Sequence, residues 1–102
     1  MGINLHWESE SGETRQMIVD DQSYVWELIA ASKNEDTVCL RFIDRYGDAV
    51  FNQGQLPHLK AELSAVPESA LSDGARYHRK KLLLLIEQAS GATHTYLKFY
   101  GD

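Results

Sequence analysis

The side chains in this chain best suited to metal binding are four histidines and one cysteine, and their spacing does not favour a metal site. The histidines stand at His6, His58, His78 and His94. No two are separated by the i to i+4 interval that places two ligands on one helix face, and Cys39 alone cannot complete a local zinc site. Convergence of His6 and His94 from neighbouring strands is the remaining route to a metal. The sequence therefore predicts no metal and no cofactor, with the histidines at the surface or at the edge of the core.

Nucleophilic catalysis is also disfavoured by the sequence. Cys39 lies between Val38 and Leu40, which predicts a buried, inert thiol rather than an activated one. The serines lack the G-x-S-x-G context of a nucleophile elbow, and the glycines form no phosphate-binding loop. Because no nucleophile, base and oxyanion donor occur together, we predict a protein that is not an enzyme.

An acidic pair, Asp44 and Asp48, brackets a turn at 44–48. A calcium loop would need ligands at alternating loop positions and a distal glutamate, which this segment does not have. The favoured interpretation is that these carboxylates accept hydrogen bonds from the turn backbone. A contact with a partner protein is the main alternative.

The first third of the chain predicts a hairpin followed by a helix. Ile3, Leu5 and Trp7 alternate with polar residues, which is the period of a strand. A turn at 9–13 leads to a second strand at 15–19. The segment 20–23 supplies N-cap candidates for a helix at 23–32, and a polar turn at 33–36 ends that helix.

The middle of the chain predicts a second hairpin. The segment 37–44 alternates Val38, Leu40 and Phe42 with Cys39, Arg41 and Ile43. We therefore predict a strand at 37–44 that turns at 45–48 into a partner strand at 49–52.

The last half predicts two helices and a final strand. The helices are expected at 55–66, with Pro57 in the first turn, and at 75–89, with Gly91 as the C-cap. A strand at 82–88 is the alternative for the second helix, but its residue types are better helix formers. With a strand at 93–100 the order is ββαββααβ. This order predicts a single α+β domain, 1–102, with a mostly antiparallel sheet and helices packed mainly on one face.

The charge distribution bears on partners. The net charge is −5 over 102 residues, and eight acids and two bases give the first 36 residues −6. Such a chain is a poor nucleic-acid binder and a suitable partner for a basic protein. The one basic run, 76–81, is expected to be the solvated start of a helix. The absence of a signal-like start and of any apolar run longer than five residues predicts a cytoplasmic protein with no membrane segment.

One sheet face is the most suggestive surface. If the strands at 37–44 and 93–100 pair, Arg41 shares a face with Tyr96, Lys98 and Tyr100. Tyrosine and arginine concentrate binding energy at interfaces; a helix covering this face is the alternative. Elsewhere, Leu83 and Leu84 fall off the core face of their helix, which suggests deep burial or a homodimer contact.

Two stretches, 42–52 and 94–102, resemble a family of small bacterial proteins that look like the immunity proteins accompanying polymorphic, contact-delivered or secreted toxins. The resemblance implies a cytoplasmic protein that protects its producer by binding a cognate toxin. It makes Asp44, Tyr46, Asp48 and Tyr96 candidate contacts, although these residues could equally fix the fold. With the sheet face added, the predicted partner-binding residues are Arg41, Asp44, Tyr46, Asp48, Tyr96, Lys98 and Tyr100.

Two other functions stay open. One is a structural or regulatory homodimer without enzymatic activity. The other is an enzyme of an unfamiliar kind, with His94, Asp44 or Arg41 in a pocket.

Overall fold

The structure, a computed structural model, describes residues 2–32 and 37–101. These residues form four strands and three helices in the order ββαβααβ. The strands are β1 (Asn4–Ser9), β2 (Thr14–Ile18), β3 (Asp48–Phe51) and β4 (Thr95–Tyr100). The helices are α1 (Tyr24–Ser32), α2 (Leu56–Ala65) and α3 (Asp73–Ser90).

The strands form one antiparallel sheet in the order β2-β1-β4-β3. Leu5 of β1 lies opposite Ile18 of β2 on one side and Phe99 of β4 on the other. Because side chains alternate along a strand, these residues share a face, and all three are buried. The predicted α+β fold with an antiparallel sheet is confirmed.

The core includes that sheet face and buried residues of all three helices. Phe51 and Phe99 meet edge to face, with ring centroids 5.9 Å apart. Helix α3 contacts β1 and β4 and buries Leu82, Leu85 and Ile86 completely. Each such side chain contributes about 1.5–3 kcal/mol when it is removed from water.

Most predicted elements are confirmed, with ends shifted by a few residues. The hairpin at the start is β1 and β2, and residues 82–88 are helical as favoured. Asp20 caps α1: its buried carboxylate accepts the N–H groups of Tyr24 at 2.8 Å and Val25 at 3.0 Å. The polar turn predicted at 33–36 lies outside the described residues.

The predicted strand at 37–44 is wrong. The segment contains only a 3-10 turn, Leu40–Phe42, and the partner strand, β3, pairs with β4 instead. The carboxylate of Glu62 on α2 accepts the N–H groups of residues 38, 39 and 40 at 2.6, 3.1 and 2.9 Å. These donors are therefore bonded to a side chain rather than to a neighbouring strand, and the sheet has one strand fewer than expected.

The predicted solvated basic run at 76–81 is wrong in part. His78 and Arg79 are buried, whereas Lys80 and Lys81 are exposed. The Arg79 guanidinium donates to the carbonyls of Leu63 at 3.3 Å and Val66 at 2.5 Å. It thereby adds side-chain donors to backbone carbonyls where α2 ends.

Candidate functional site

The predicted partner-binding residues lie on two separate surfaces. Asp48, Tyr96, Lys98 and Tyr100 project from the sheet on the side away from the core, and we call this surface the open sheet face. The other surface is a cleft of about 470 Å³, which we call the Arg41–Arg45 cleft. Its lining includes Trp26, Arg41, Phe42, Asp44, Arg45 and Tyr46. The prediction that Arg41 shares a face with the β4 side chains is wrong, because residues 37–44 do not join the sheet.

Strand register positions the open sheet face. Lys98 of β4 lies between His6 of β1 and Val50 of β3. Tyr100 is likewise flanked by Asn4 and Asp48. Three strands thus bring side chains from both ends of the sequence into one row.

Tyr100 is the centre of the polar contacts on this face. Its hydroxyl donates to a carboxylate oxygen of Glu8, and this bond, with desolvation as the second cause, raises the pKa of Tyr100. The rings of His6 and Tyr100 meet edge to face, with centroids 4.5 Å apart.

Lys98 extends the same network. Its amine lies 4.6 Å from the Tyr100 ring centroid and 4.0 Å from a carboxylate oxygen of Asp48. The hydrogen bond with Tyr100 is the main cause that raises the pKa of Lys98. The ionisable groups of this face therefore have partners within the chain, which lowers the cost of covering them.

Apolar groups surround these polar pairs. Met17 on β2, Val50 on β3 and Tyr96 on β4 are each at least one-third exposed. A partly neutralised polar centre with exposed apolar side chains beside it resembles the composition of a protein interface.

The Arg41–Arg45 cleft is built from arginines lying over aromatic rings. The Arg45 guanidinium carbon is 5.4 Å from the Trp26 ring centroid and 5.9 Å from that of Tyr46. The Arg41 guanidinium carbon is 4.9 Å from the Phe42 ring centroid. Phe42 and Tyr46 are 61% and 74% exposed, which is unusual for aromatic side chains of their size.

Two contacts hold the cleft's turn in place. The Asp44 carboxylate accepts the N–H of Tyr46 at 2.9 Å, which confirms that Asp44 serves the turn backbone. The N–H of Gly101, just after β4, donates to the Gly47 carbonyl at 2.7 Å. The turn of the cleft is therefore fastened to the end of the strand that carries the open sheet face.

The remaining candidates for chemistry are dispersed. Cys39 is buried as predicted, and desolvation together with the charge of Glu62 raises the pKa of its thiol. His94 lies 3.0 Å from the carboxylate of Glu10. His78 is buried, contrary to the surface position expected, and burial lowers its pKa. Across residues 2–32 and 37–101, no group of three or more His, Cys, Asp or Glu side chains could hold a metal ion.

Sequence reasoning missed several members of both surfaces. Trp26 and Arg45 belong to the cleft, while His6, Glu8 and Met17 belong to the open sheet face. A signal for His6 and Glu8 was present, since both alternate with the apolar residues of β1. The association of Trp26 with Arg45 joins two distant parts of the chain, and no local pattern indicates it.

Helix α3 also exposes apolar groups. Leu84 is 61% exposed and Tyr77 is 66% exposed, while Leu83 packs partly against the core. None of the helices in the described part of the chain combines the length and apolar character needed to cross a membrane.

Comparisons with protein-family models, with curated proteins and with solved structures gave no significant match for this chain.

Proposed function

We propose that this chain is a non-catalytic binding protein, an immunity protein that neutralises a cognate bacterial toxin by forming a complex with it. The observation that carries the proposal is that the described parts of the two stretches resembling immunity-type proteins, 42–52 and 94–101, adjoin in space. Asp48 pairs with Tyr100 across β3 and β4, and the Gly101 N–H donates to the Gly47 carbonyl. Segments about 50 residues apart in sequence thus contribute to one continuous region.

The open sheet face is the surface we assign to the toxin. Its ionisable groups already contact one another. Tyr100 donates a hydrogen bond to Glu8, and Lys98 lies near both Tyr100 and Asp48. A partner can therefore cover them without leaving isolated charges. Tyr96 provides an exposed aromatic side chain of the type that often dominates interface energetics.

Charge supports a basic partner. The hairpin between β1 and β2 exposes Glu10 and Glu13 beside the open sheet face, and the whole chain carries −5. Opposite charge on a toxin would raise the association rate constant and make it fall with added salt.

The test is co-expression of the tagged chain with the genes adjacent to its own, followed by mass measurement of whatever co-purifies. We expect a one-to-one complex with a toxin-like protein, and survival of cells that express both. If no neighbouring product binds and none is toxic, the proposal is wrong.

A variant pair then locates the interface. Tyr96→Ala should weaken the complex about tenfold or more, as expected when an interface aromatic is truncated. Tyr77→Ala removes a more exposed tyrosine from α3, 66% against 36% for Tyr96, and should change affinity less than about twofold. Equal effects of the two substitutions would exclude the open sheet face as the toxin-binding surface.

A homodimer is the second candidate, because Tyr77 and Leu84 are both exposed on α3 and lie two turns apart. Sedimentation equilibrium at high micromolar concentration tests it. A dimer that Leu84→Asp converts to a monomer would support this function, and a monomeric wild-type chain would exclude it.

A further inference from the structure

The Arg41–Arg45 cleft carries positive charge that the described residues leave available. Arg41 and Arg45 are both exposed, and no carboxylate of residues 2–32 and 37–101 forms a salt bridge with either guanidinium. Asp44 is the one acid among the described residues that line the cleft, and its carboxylate accepts the N–H of Tyr46. These lining residues therefore carry a net positive charge, whereas the chain as a whole is negative.

The guanidiniums are suited to hold a planar anion. A guanidinium lying over an aromatic ring keeps its N–H groups at the edges free, and those edges match the two oxygens of a carboxylate. The Arg45 guanidinium lies over the rings of Trp26 and Tyr46, and the Arg41 guanidinium lies over the ring of Phe42. The rings restrict side-chain motion, so less rotamer entropy is lost when an anion binds.

Charge favours an acidic peptide over a nucleic acid. A polyanion would be repelled by the net charge of −5. A short acidic segment needs only the local charge of the cleft.

We propose that the Arg41–Arg45 cleft binds an acidic segment of a protein partner, with its carboxylates on Arg41 and Arg45 and an apolar side chain against Phe42 and Tyr46. The volume of about 470 Å³ is within the usual range for a ligand site. The proposal goes beyond the toxin-binding function, since it concerns a second surface and does not require that the partner be a toxin.

The test uses a synthetic probe on the intact chain. The probe is an acetylated, amidated peptide of sequence Glu-Leu-Glu-Leu, and its control is the peptide Gln-Leu-Gln-Leu. NMR titration should show the acidic peptide shifting the indole N–H of Trp26 and the Nε–H signals of Arg41 and Arg45. The glutamine peptide should leave those signals unchanged.

Matched variants assign the binding to the cleft. Arg41→Gln and Arg45→Gln should each lower the affinity for the acidic peptide about fivefold, which is the largest effect expected from one exposed ion pair. Arg15→Gln is the control, because Arg15 is also exposed and lies over a tryptophan, 5.3 Å from the Trp7 ring centroid. It should leave the affinity unchanged.

Three outcomes would overturn the proposal. These are equal binding of the glutamine peptide, an equal loss on Arg15→Gln, and tighter binding of adenosine monophosphate than of the peptide at the same signals. The last would assign the cleft to nucleotides. Because no toxin is present in the titration, its result is independent of whether the toxin complex forms.

Discussion

The open sheet face and the Arg41–Arg45 cleft differ in whether their charged groups have partners among the described residues. On the sheet face, Glu8 and Asp48 lie beside Tyr100 and Lys98, so acids and donors of the chain satisfy each other. In the cleft, two guanidiniums rest on aromatic rings and the neighbouring acid is bonded to backbone. The first surface suits a large contact of matched shape, and the second suits a partner that brings its own negative charge.

The two surfaces also differ in what holds them in place. Cross-strand pairs fix every residue of the open sheet face, and each strand there belongs to the core. The cleft lies on irregular backbone that depends on Glu62 on one side and on the Gly47–Gly101 hydrogen bond on the other. The backbone of the cleft should therefore detach from the rest of the protein much more easily than the strands of the open sheet face.

The largest effect is expected from Glu62→Ala. Removing the carboxylate leaves the N–H groups of Cys39 and Leu40 partly buried without an acceptor, which costs about 3 kcal/mol. Urea unfolding measures the loss. Glu87→Ala is the control: Glu87 forms an exposed pair with Lys60, and its loss should cost less than about 1 kcal/mol. If Glu62→Ala preserves both stability and cleft affinity, the cleft is not held in the way described.

The next largest effect is expected from Gly101→Ala, which acts at the joint between the two surfaces. An added Cβ would lie 2.5 Å from the Gly47 carbonyl oxygen and 2.7 Å from the Arg45 carbonyl carbon. The turn must then move away from β4, at a cost of about 2 kcal/mol. Thermal unfolding measures this cost, and Gly91→Ala is the control because its nearest neighbour would be 3.8 Å away. Equal melting temperatures for the two variants would contradict the expected clash.

A smaller effect is expected from Tyr100→Phe, which changes the open sheet face alone. The loss of the hydroxyl bond to Glu8 should lower the free energy of unfolding by about 1 kcal/mol. It should leave peptide binding at the cleft unchanged. Tyr46→Phe, at a tyrosine that is 74% exposed, should be neutral in stability. A loss of cleft affinity in Tyr100→Phe would mean that the two surfaces are coupled.

The smallest effect is expected from mild acid. This treatment tests a buried group of the core rather than a residue of either surface. Burial lowers the pKa of His78 below 6.5, with Asp20 and Asp21 opposing this shift and Lys81 adding to it. The unfolded chain therefore binds this proton more readily, so the free energy of unfolding falls as the pH drops below about 6.5.

His78→Leu supplies the reference for that experiment. It should reduce the dependence of unfolding free energy on pH between about 7 and 5.5, and His58→Gln, at an exposed histidine, is the matched substitution for comparison. An unchanged pH dependence in His78→Leu would show that other groups cause the acid sensitivity. In the His78→Leu variant, the effect of pH on binding at each surface can be measured without any contribution from protonation of His78.

The segments 37–44 and 95–100 explain which parts of the fold could be predicted. Both alternate apolar and other residues, and only the second is a strand. The difference comes from Glu62, a residue more than 20 positions away whose carboxylate binds three backbone N–H groups of the first segment. Alternation describes one chain segment, whereas the acceptor for its N–H groups is decided by tertiary structure.

The helices were predictable because their signals are local. Asp20 lies just before α1 and accepts N–H groups of its first turn, and the apolar spacing of α3 repeats over several turns. The open sheet face was predictable to the extent that it follows strand alternation, as for Tyr96 and Lys98. The cleft was not, because Trp26 meets Arg45 only after α1 and the turn have packed together.

The buried thiol of Cys39 gives the chain a built-in chemical reporter. It is the only cysteine, it is 1% exposed, and its backbone N–H is among those bonded to Glu62. A thiol reagent can reach it only when this segment detaches from α2, so the labelling rate measures how often that local opening occurs. The rate at which the backbone next to the cleft detaches from α2 can thus be measured in the protein without any substitution.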